Sequence, residues 1–249
     1  MKRVIAPSHI RSAYLIMQLL EQGEEVQPIH ILFLDQDSLP YSIQDMMDEE
    51  NIHPQHHREI TTIKKLIPKL RKIGKGILHD CEFVDIRHIE INNSHIFEDM
   101  VKEYDEIERI SKIKYLEKAA KEENGYLNKL FFFLENVYNH DSYWVTCFAK
   151  DNADTDLHKI FKENKFNGVL NKAKVPNINL TRKEIVKLCK NDYFKMKILH
   201  ETICCTSRDF KYSDKLKGKM GCEKCHACKK RRESHIDIIR NLDKILKKY

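Results

Sequence analysis

The sequence lacks any long apolar run. Its longest candidate, Leu130 to Leu134, falls far short of the roughly 18 residues that a membrane-spanning helix needs. Residues 1–5 lead directly into a strand-like pattern, without the apolar core or the small-residue cleavage site of a signal peptide. We therefore expect a cytoplasmic protein with no membrane partner. Its eight cysteines are then expected to be thiols or metal ligands rather than disulfides.

Repeats and low-complexity linkers are also absent, and what remains is the composition of a folded chain. The 249 residues are 41% hydrophobic and 33% charged, which fits one large domain or one domain with a small appendage. Residues 201–249 carry fourteen Lys or Arg and seven Asp or Glu, a local net charge of +7. This shift places a domain boundary between residues 1–200 and 201–249. A solvated lysine-rich surface is the favoured interpretation of this basic segment, with a phosphate-bearing partner as the alternative.

The amino-terminal residues predict a βαβ unit. An apolar run at residues 4–6 fits a buried strand, and Ser12 can cap a helix over residues 13–20. Gly23 suits the end of that helix, and residues 26–33 form the next strand pattern. A strand, a helix and a strand in so short a segment imply a parallel sheet with a ligand site at the carboxyl end of the first strand.

The remaining pattern continues to alternate strands with helices, which makes the fold class α/β. Thr181 and Glu184 have the spacing of a capping box that begins a helix over residues 182–189. The other predicted elements are a helix over 61–75, an extended segment over 81–91, a helical region over 96–140 and a strand over 143–148.

Three cysteines near the carboxyl terminus have metal-ligand spacing. Cys222, Cys225 and Cys228 form C-x2-C-x2-C, so that three thiolates on one turn can converge on a tetrahedral ion. Cys204 or Cys205 supplies the fourth sulfur, and His226 is a further donor inside the turn. Zinc is the favoured ion; an iron–sulfur cluster and a metal-free thiol cluster are the alternatives. Four sulfurs leave no position for water, so this zinc is expected to be structural.

Two other clusters have weaker metal-binding patterns. The first cluster consists of His53, His56 and His57, and a polar loop is its favoured interpretation, with a second metal site as the alternative. The second cluster consists of Asp151, Asp154 and Asp156, and a solvated loop is likewise favoured over a magnesium site.

The tail resembles the zinc-binding end of 7-cyano-7-deazaguanine synthases, enzymes of the route to queuosine and to deazaguanine-modified nucleic acids. In that family a threonine and a cysteine precede the C-x-x-C-x-x-C segment, and a basic stretch follows it. Here Thr202 and Cys205 precede the segment of residues 222–228, and residues 229–232 are the basic stretch. The resemblance selects Cys205 over Cys204 and implies one structural zinc bound by Cys205, Cys222, Cys225 and Cys228. It also implies a nucleotide-alpha-hydrolase-like (PP-loop) domain over 1–200 and a small zinc-binding subdomain over 201–249.

The family's pyrophosphate loop, S-G-G-x-D-S, aligns with the turn after the first strand. Here it reads Pro7-Ser8-His9-Ile10-Arg11-Ser12. Both glycines, whose backbone N–H groups close around pyrophosphate, are absent, and Arg11 takes the place of the aspartate. The resemblance nevertheless implies nucleotide binding by Ser8, His9, Arg11 and Ser12.

In the family, ATP activates the carboxylate of 7-carboxy-7-deazaguanine and ammonia converts it to a nitrile, a ligase reaction with ATP and magnesium as cofactors. The altered loop favours a degenerate or repurposed relative that binds a deazaguanine or a nucleotide. Two alternatives are retained ATP-dependent activation of a carboxylate, and a nucleic-acid-binding or protein-binding module built on the basic zinc tail. No catalytic residue is assigned, and a homodimer stays open.

Overall fold

The computed structural model describes residues 1–32, 54–86, 143–144, 173–174, 176–177, 179–203, 205, 221–225, 228–229 and 231–232. Within these residues, strands and helices alternate over the first half. The elements in chain order are β1 (Lys2–Ile5), α1 (Ile10–Glu21), β2 (Glu25–Leu32), α2 (Pro54–Leu70), β3 (Ile77–Leu78), β4 (Glu82–Asp85), β5 (Tyr143–Trp144), β6 (Ala173–Lys174), α3 (Arg182–Cys189) and α4 (Tyr193–Glu201).

The described strands form one parallel sheet with β1 inside it. The strand order is β3-β2-β1-β5-β6, and β4 pairs with the carboxyl-terminal half of β2. All described pairs are parallel, which confirms the α/β prediction. Pro28 has no N–H to donate and lies between the stretches of β2 that pair with β3 and with β4. Strand β2 lies on one side of β1 and β5 on the other, so the strand order reverses at β1. In open parallel sheets, ligands bind outside the carboxyl ends of the strands at such a reversal.

The β1–α1–β2 unit forms as predicted, with one correction at the start of α1. The helix begins at Ile10 with His9 as its N-cap, so the prediction that Ser12 caps it is wrong. The Ser12 hydroxyl instead donates to the Ile5 carbonyl at 2.9 Å and ties the first helical turn to the end of β1. At the other end, Gly23 adopts φ 80° and its N–H bonds to the Leu20 carbonyl, the geometry of a glycine helix terminus.

Helix α2 starts seven residues earlier than the predicted helix and ends five earlier, at Leu70. The prediction of a polar loop at His56 and His57 is therefore wrong, because both residues lie in α2. The reason is a buried stripe at helical spacing that extends back to His56. Its members are His56, Ile60, Ile63, Ile67 and Leu70.

Helices α3 and α4 close the hydrophobic core. The Thr181 hydroxyl accepts from the Glu184 N–H at 3.2 Å, and the Thr181 N–H donates to the Glu184 carboxylate at 2.7 Å, which confirms the capping box. Helix α1 packs against α3 and α4, and α2 packs against α4. An ion pair between Lys69 and Glu201 joins the carboxyl-terminal ends of α2 and α4.

Several predictions fall outside the described residues. They are the helical region over 96–140, strand residues 145–148, His53, the aspartates at 151–156, Cys204 and His226. The domain boundary after residue 200 stays a prediction. Among the described helices, none has both the length and the apolar character required to cross a membrane.

Candidate metal centre

The four predicted metal ligands lie together. The Sγ atoms of Cys205, Cys222, Cys225 and Cys228 are within 4.8 Å of one another. The Cys222 and Cys228 sulfurs are 3.9 Å apart, close to the roughly 3.8 Å expected between two sulfurs of a tetrahedral zinc site with Zn–S bonds of about 2.3 Å. The cluster can hold a metal ion, and its all-sulfur donor set is consistent with zinc.

Backbone N–H groups of the cysteine turn point at the sulfurs. The Cys222 N–H donates to Cys205 Sγ at 3.4 Å, the Cys225 N–H to Cys222 Sγ at 3.3 Å, and the Cys228 N–H to Cys225 Sγ at 3.4 Å. Such bonds favour the charged thiolate over the thiol. Glu223 adopts φ 59°, which bends the chain tightly enough for these donors to converge.

Gly221 leaves room for the sulfurs. A Cβ atom placed on Gly221 would overlap Cys228 Sγ and would lie 3.4 Å from Cys205 Cβ. Any larger residue at position 221 would therefore have to displace the Cys228 sulfur.

The thiol electrostatics favour a bound cation. The pKa of the Cys228 thiol is raised, first by its hydrogen bond with Cys205 and then by burial. A metal ion removes this penalty because it binds the thiolate directly. A zinc ion with four thiolates carries a net charge of about −2, which a buried site must balance with nearby positive groups.

Arg58 of α2 is the buried cation next to the cluster. It is 1% exposed, and its Nη2 donates to the Cys205 carbonyl at 3.1 Å. Burial lowers the pKa of Arg58, and the nearby charges of Cys205 and Glu59, followed by those of Cys222 and Cys228, oppose that shift. Sequence analysis missed this residue, because 147 positions separate it from Cys205 and no local spacing connects the two.

Arg231 belongs to the basic run after the cysteines, yet it points inward. It is 2% exposed; its Nη1 donates to the Thr202 hydroxyl at 3.3 Å and its Nη2 to the His200 carbonyl at 3.0 Å. It thereby satisfies a carbonyl at the end of α4, where a cation also complements the helix dipole. Lys229 and Arg232 are exposed and remain available to an anionic partner.

The four residues predicted to bind a nucleotide lie around the turn between β1 and α1. Ser8 and Arg11 are buried, and the Ser12 hydroxyl is bound to Ile5. Within the described residues, the Ser8 hydroxyl has no hydrogen-bond partner, while the Ser8 carbonyl accepts from the Ile203 N–H at 2.9 Å. This backbone bond sets the segment leading to Cys205 directly against the turn.

His9 is the most exposed of the four, with 39% of its side chain accessible to solvent. Its Nε2 lies 3.3 Å from a Glu59 carboxylate oxygen. Burial alone raises the pKa of Glu59, but hydrogen bonds from His56 and His9 hold it well below its usual value. Glu59 was not identified from the sequence; its spacing of three from His56 on one helix face is the signal that could have found it.

Comparison with known proteins adds no assignment. No protein-family model matches this sequence, and no curated protein gives a significant match. The described residues establish an α/β chain with a parallel sheet and a four-cysteine cluster able to hold a metal ion.

Proposed function

We propose that this protein is a repurposed relative of the 7-cyano-7-deazaguanine synthases. In this proposal, a deazaguanine or a nucleotide binds in the crevice at the carboxyl ends of β1 and its neighbours, and a structural zinc held by the four cysteines supports that crevice. The PP-loop fold is part of the same proposal. The observation that carries it is the hydrogen bond from the Ile203 N–H to the Ser8 carbonyl, which joins the zinc segment to the turn after β1.

The sheet topology supports a ligand site at this edge. Strand β1 has β2 on one side and β5 on the other, although β5 follows much later in the chain. Open parallel sheets bind ligands at such a switch in strand order, outside the carboxyl ends of the strands. The turn after β1 lies at that position.

The segment that leads to Cys205 contacts the turn after β1 and supports the same edge of the sheet. Cys205 is two residues beyond Ile203, and its carbonyl is held by Arg58 of α2. A metal ion that fixes Cys205 therefore also fixes the backbone that meets Ser8. This role suits an all-sulfur site, which has no position left for a substrate.

The chemistry of the turn argues for a change from the parent reaction. The pyrophosphate cradle of the family is built from glycine N–H groups, whereas the His9 N–H here is bound to the Ala6 carbonyl at 3.2 Å. The Glu59 carboxylate also lies against His9, and a second anion next to it is disfavoured. We therefore expect binding of the deazaguanine ring to be retained more strongly than pyrophosphate release from ATP.

Equilibrium binding to the zinc-loaded full chain tests the proposal. The probes are 7-carboxy-7-deazaguanine, 7-cyano-7-deazaguanine, ATP and AMP, with pyrophosphate release measured in parallel. We expect saturable binding of at least one probe and a weaker affinity in His9→Ala. The matched control is His79→Ala. His79 is likewise an exposed histidine next to a carboxylate, that of Glu25, but it does not belong to the turn after β1. If the folded, zinc-loaded protein binds none of the four probes, the proposal fails.

A further inference from the structure

A second cluster of metal-ligating side chains lies at the carboxyl edge of the sheet, apart from the cysteines. His30 comes from β2, and His56 and Glu59 come from the first turns of α2. All three are buried, with 2%, 1% and 5% of their surface exposed, and their ligand atoms lie within 4.8 Å of one another. Two separate elements thus bring two imidazoles and one carboxylate to a single point.

The spacing of these atoms matches that of ligands around one ion. Glu59 Oε2 is 3.4 Å from His56 Nδ1 and 3.6 Å from His30 Nε2. Two ligands at about 2.1 Å from a tetrahedral zinc ion would be separated by about 3.4 Å. Both measured separations are therefore close to the metal-bound value, and the pair that includes His30 is longer than a hydrogen bond.

Hydrogen bonding within the described residues does not account for the His30 side chain. Its Nε2 is buried and has no hydrogen-bond partner there. The ring is held by edge-on contacts with His56 and Phe83, at centroid distances of 5.4 and 5.9 Å. A buried polar nitrogen held rigidly without a partner is costly unless something binds it.

We propose that His30, His56 and Glu59 bind a divalent transition-metal ion, the second metal of this chain. Two histidines and one carboxylate are the donor set of zinc and iron(II) centres that keep at least one coordination position open. On the solvent side of the cluster lies His9, whose side chain is 39% exposed and whose Nε2 contacts the other oxygen of Glu59 at 3.3 Å. An open position would therefore face the turn after β1, where water or an oxygen or nitrogen atom of a ligand can reach the ion.

This metal site goes beyond the proposed function and does not depend on it. The four cysteines form a closed site, whereas the histidine–carboxylate site is open on the side of His9. One ion holds the backbone, and the other offers Lewis-acid chemistry at the crevice. The chain could bind the second metal without binding a deazaguanine, and it could bind a deazaguanine without the second metal.

Cobalt(II) titration of the full chain separates the two sites. The reduced protein is stripped of metal and titrated with Co²⁺, and bound metal is then quantified by mass spectrometry after gel filtration. The proposal expects two equivalents. The sulfur site gives intense thiolate-to-cobalt charge transfer, and the histidine–carboxylate site adds only weak ligand-field bands.

The variant Glu59→Gln keeps the shape of the side chain and removes its charge. We expect it to retain the thiolate-to-cobalt signal while its affinity for the second equivalent falls roughly 100-fold or more, because loss of an outer-sphere partner alone costs about 10–100-fold. Circular dichroism of each variant, compared with that of the unaltered chain, reports whether the chain is folded. The variant His56→Gln serves as a second test with the same expected result.

The variant His79→Gln is the matched control. His79 lies 2.8 Å from Glu25 in an exposed histidine–carboxylate pair, so it should leave both equivalents in place. Binding of a single equivalent by the unaltered chain overturns the proposal. The proposal is also overturned if His79→Gln loses the second equivalent while Glu59→Gln keeps it. The second ion would then bind at the exposed His79 rather than at the buried cluster.

Discussion

Replacing Arg58 with methionine should weaken metal binding at a site that Arg58 does not ligate. The guanidinium is 1% exposed and donates to the Cys205 carbonyl at 3.1 Å. Methionine matches the flexible, unbranched first part of the arginine side chain, so it keeps the apolar packing of that part while removing the charge and the donor. The bound site then keeps its negative charge without the buried cation that balances it.

The expected size follows from the hydrogen bond that is lost. A hydrogen bond to a charged group contributes about 1.5–3 kcal/mol, and each 1.4 kcal/mol corresponds to a factor of ten. We therefore expect the zinc affinity to fall by about 10- to 150-fold in Arg58→Met. Arg58→Lys restores the charge but not the fork geometry, so its affinity should lie between those of Arg58→Met and the unaltered chain.

Competition with a colorimetric zinc chelator measures this affinity under reducing conditions. The matched control is Arg71→Met, because Arg71 also donates to a carbonyl, that of Leu78 at 3.0 Å, but pairs with exposed Asp80 rather than with the cysteines. Equal zinc affinities for Arg58→Met and the unaltered chain would refute the charge-balance reasoning. An equal loss in Arg71→Met would show that the effect comes from general destabilisation.

Three further outcomes are expected. Gly221→Ala should abolish tight zinc binding, because its Cβ would overlap Cys228 Sγ, and a normal zinc content after dialysis against chelator would contradict this. Thr181→Ala should lower the free energy of unfolding by about 1 kcal/mol through loss of the capping box, as measured in urea. Stability of the metal-free protein should fall as the pH drops from 6.5 towards 4, since the unfolded chain protonates His30 first. This loss reaches about 3 kcal/mol and should be smaller in His30→Gln, so identical pH profiles would count against it.

The parts of the structure that the sequence predicted are those that short spacings specify. The C-x2-C-x2-C pattern places three sulfurs on one turn whatever surrounds them, and the strand, helix and strand of the first thirty-two residues dictate parallel pairing. The capping box at Thr181 is likewise local. The choice of Cys205 needed the family resemblance, since two adjacent cysteines have equivalent spacing.

The features that sequence analysis missed depend on contacts between distant segments. His30 lies in an apolar strand and reads as an ordinary core position until α2 brings His56 and Glu59 against it. The polar amino-terminal turn of α2 resembles a loop in isolation, because its hydrophobic stripe starts late. Serine is a common N-cap residue, but the Ser12 hydroxyl donates to the Ile5 carbonyl instead of capping the helix.

The bond between Ser8 and Ile203 also constrains the order in which the chain matures during translation. Ile203 leaves the ribosome about 10–40 s after Ser8 at ordinary rates of synthesis. Throughout that interval the Ser8 carbonyl lacks the N–H group that it accepts from in the folded chain, so the turn reaches its final conformation only after Ile203 has emerged. A metal ion that binds the four cysteines would fix Cys205, two residues beyond Ile203, and so would act on the turn only after both segments have been synthesised.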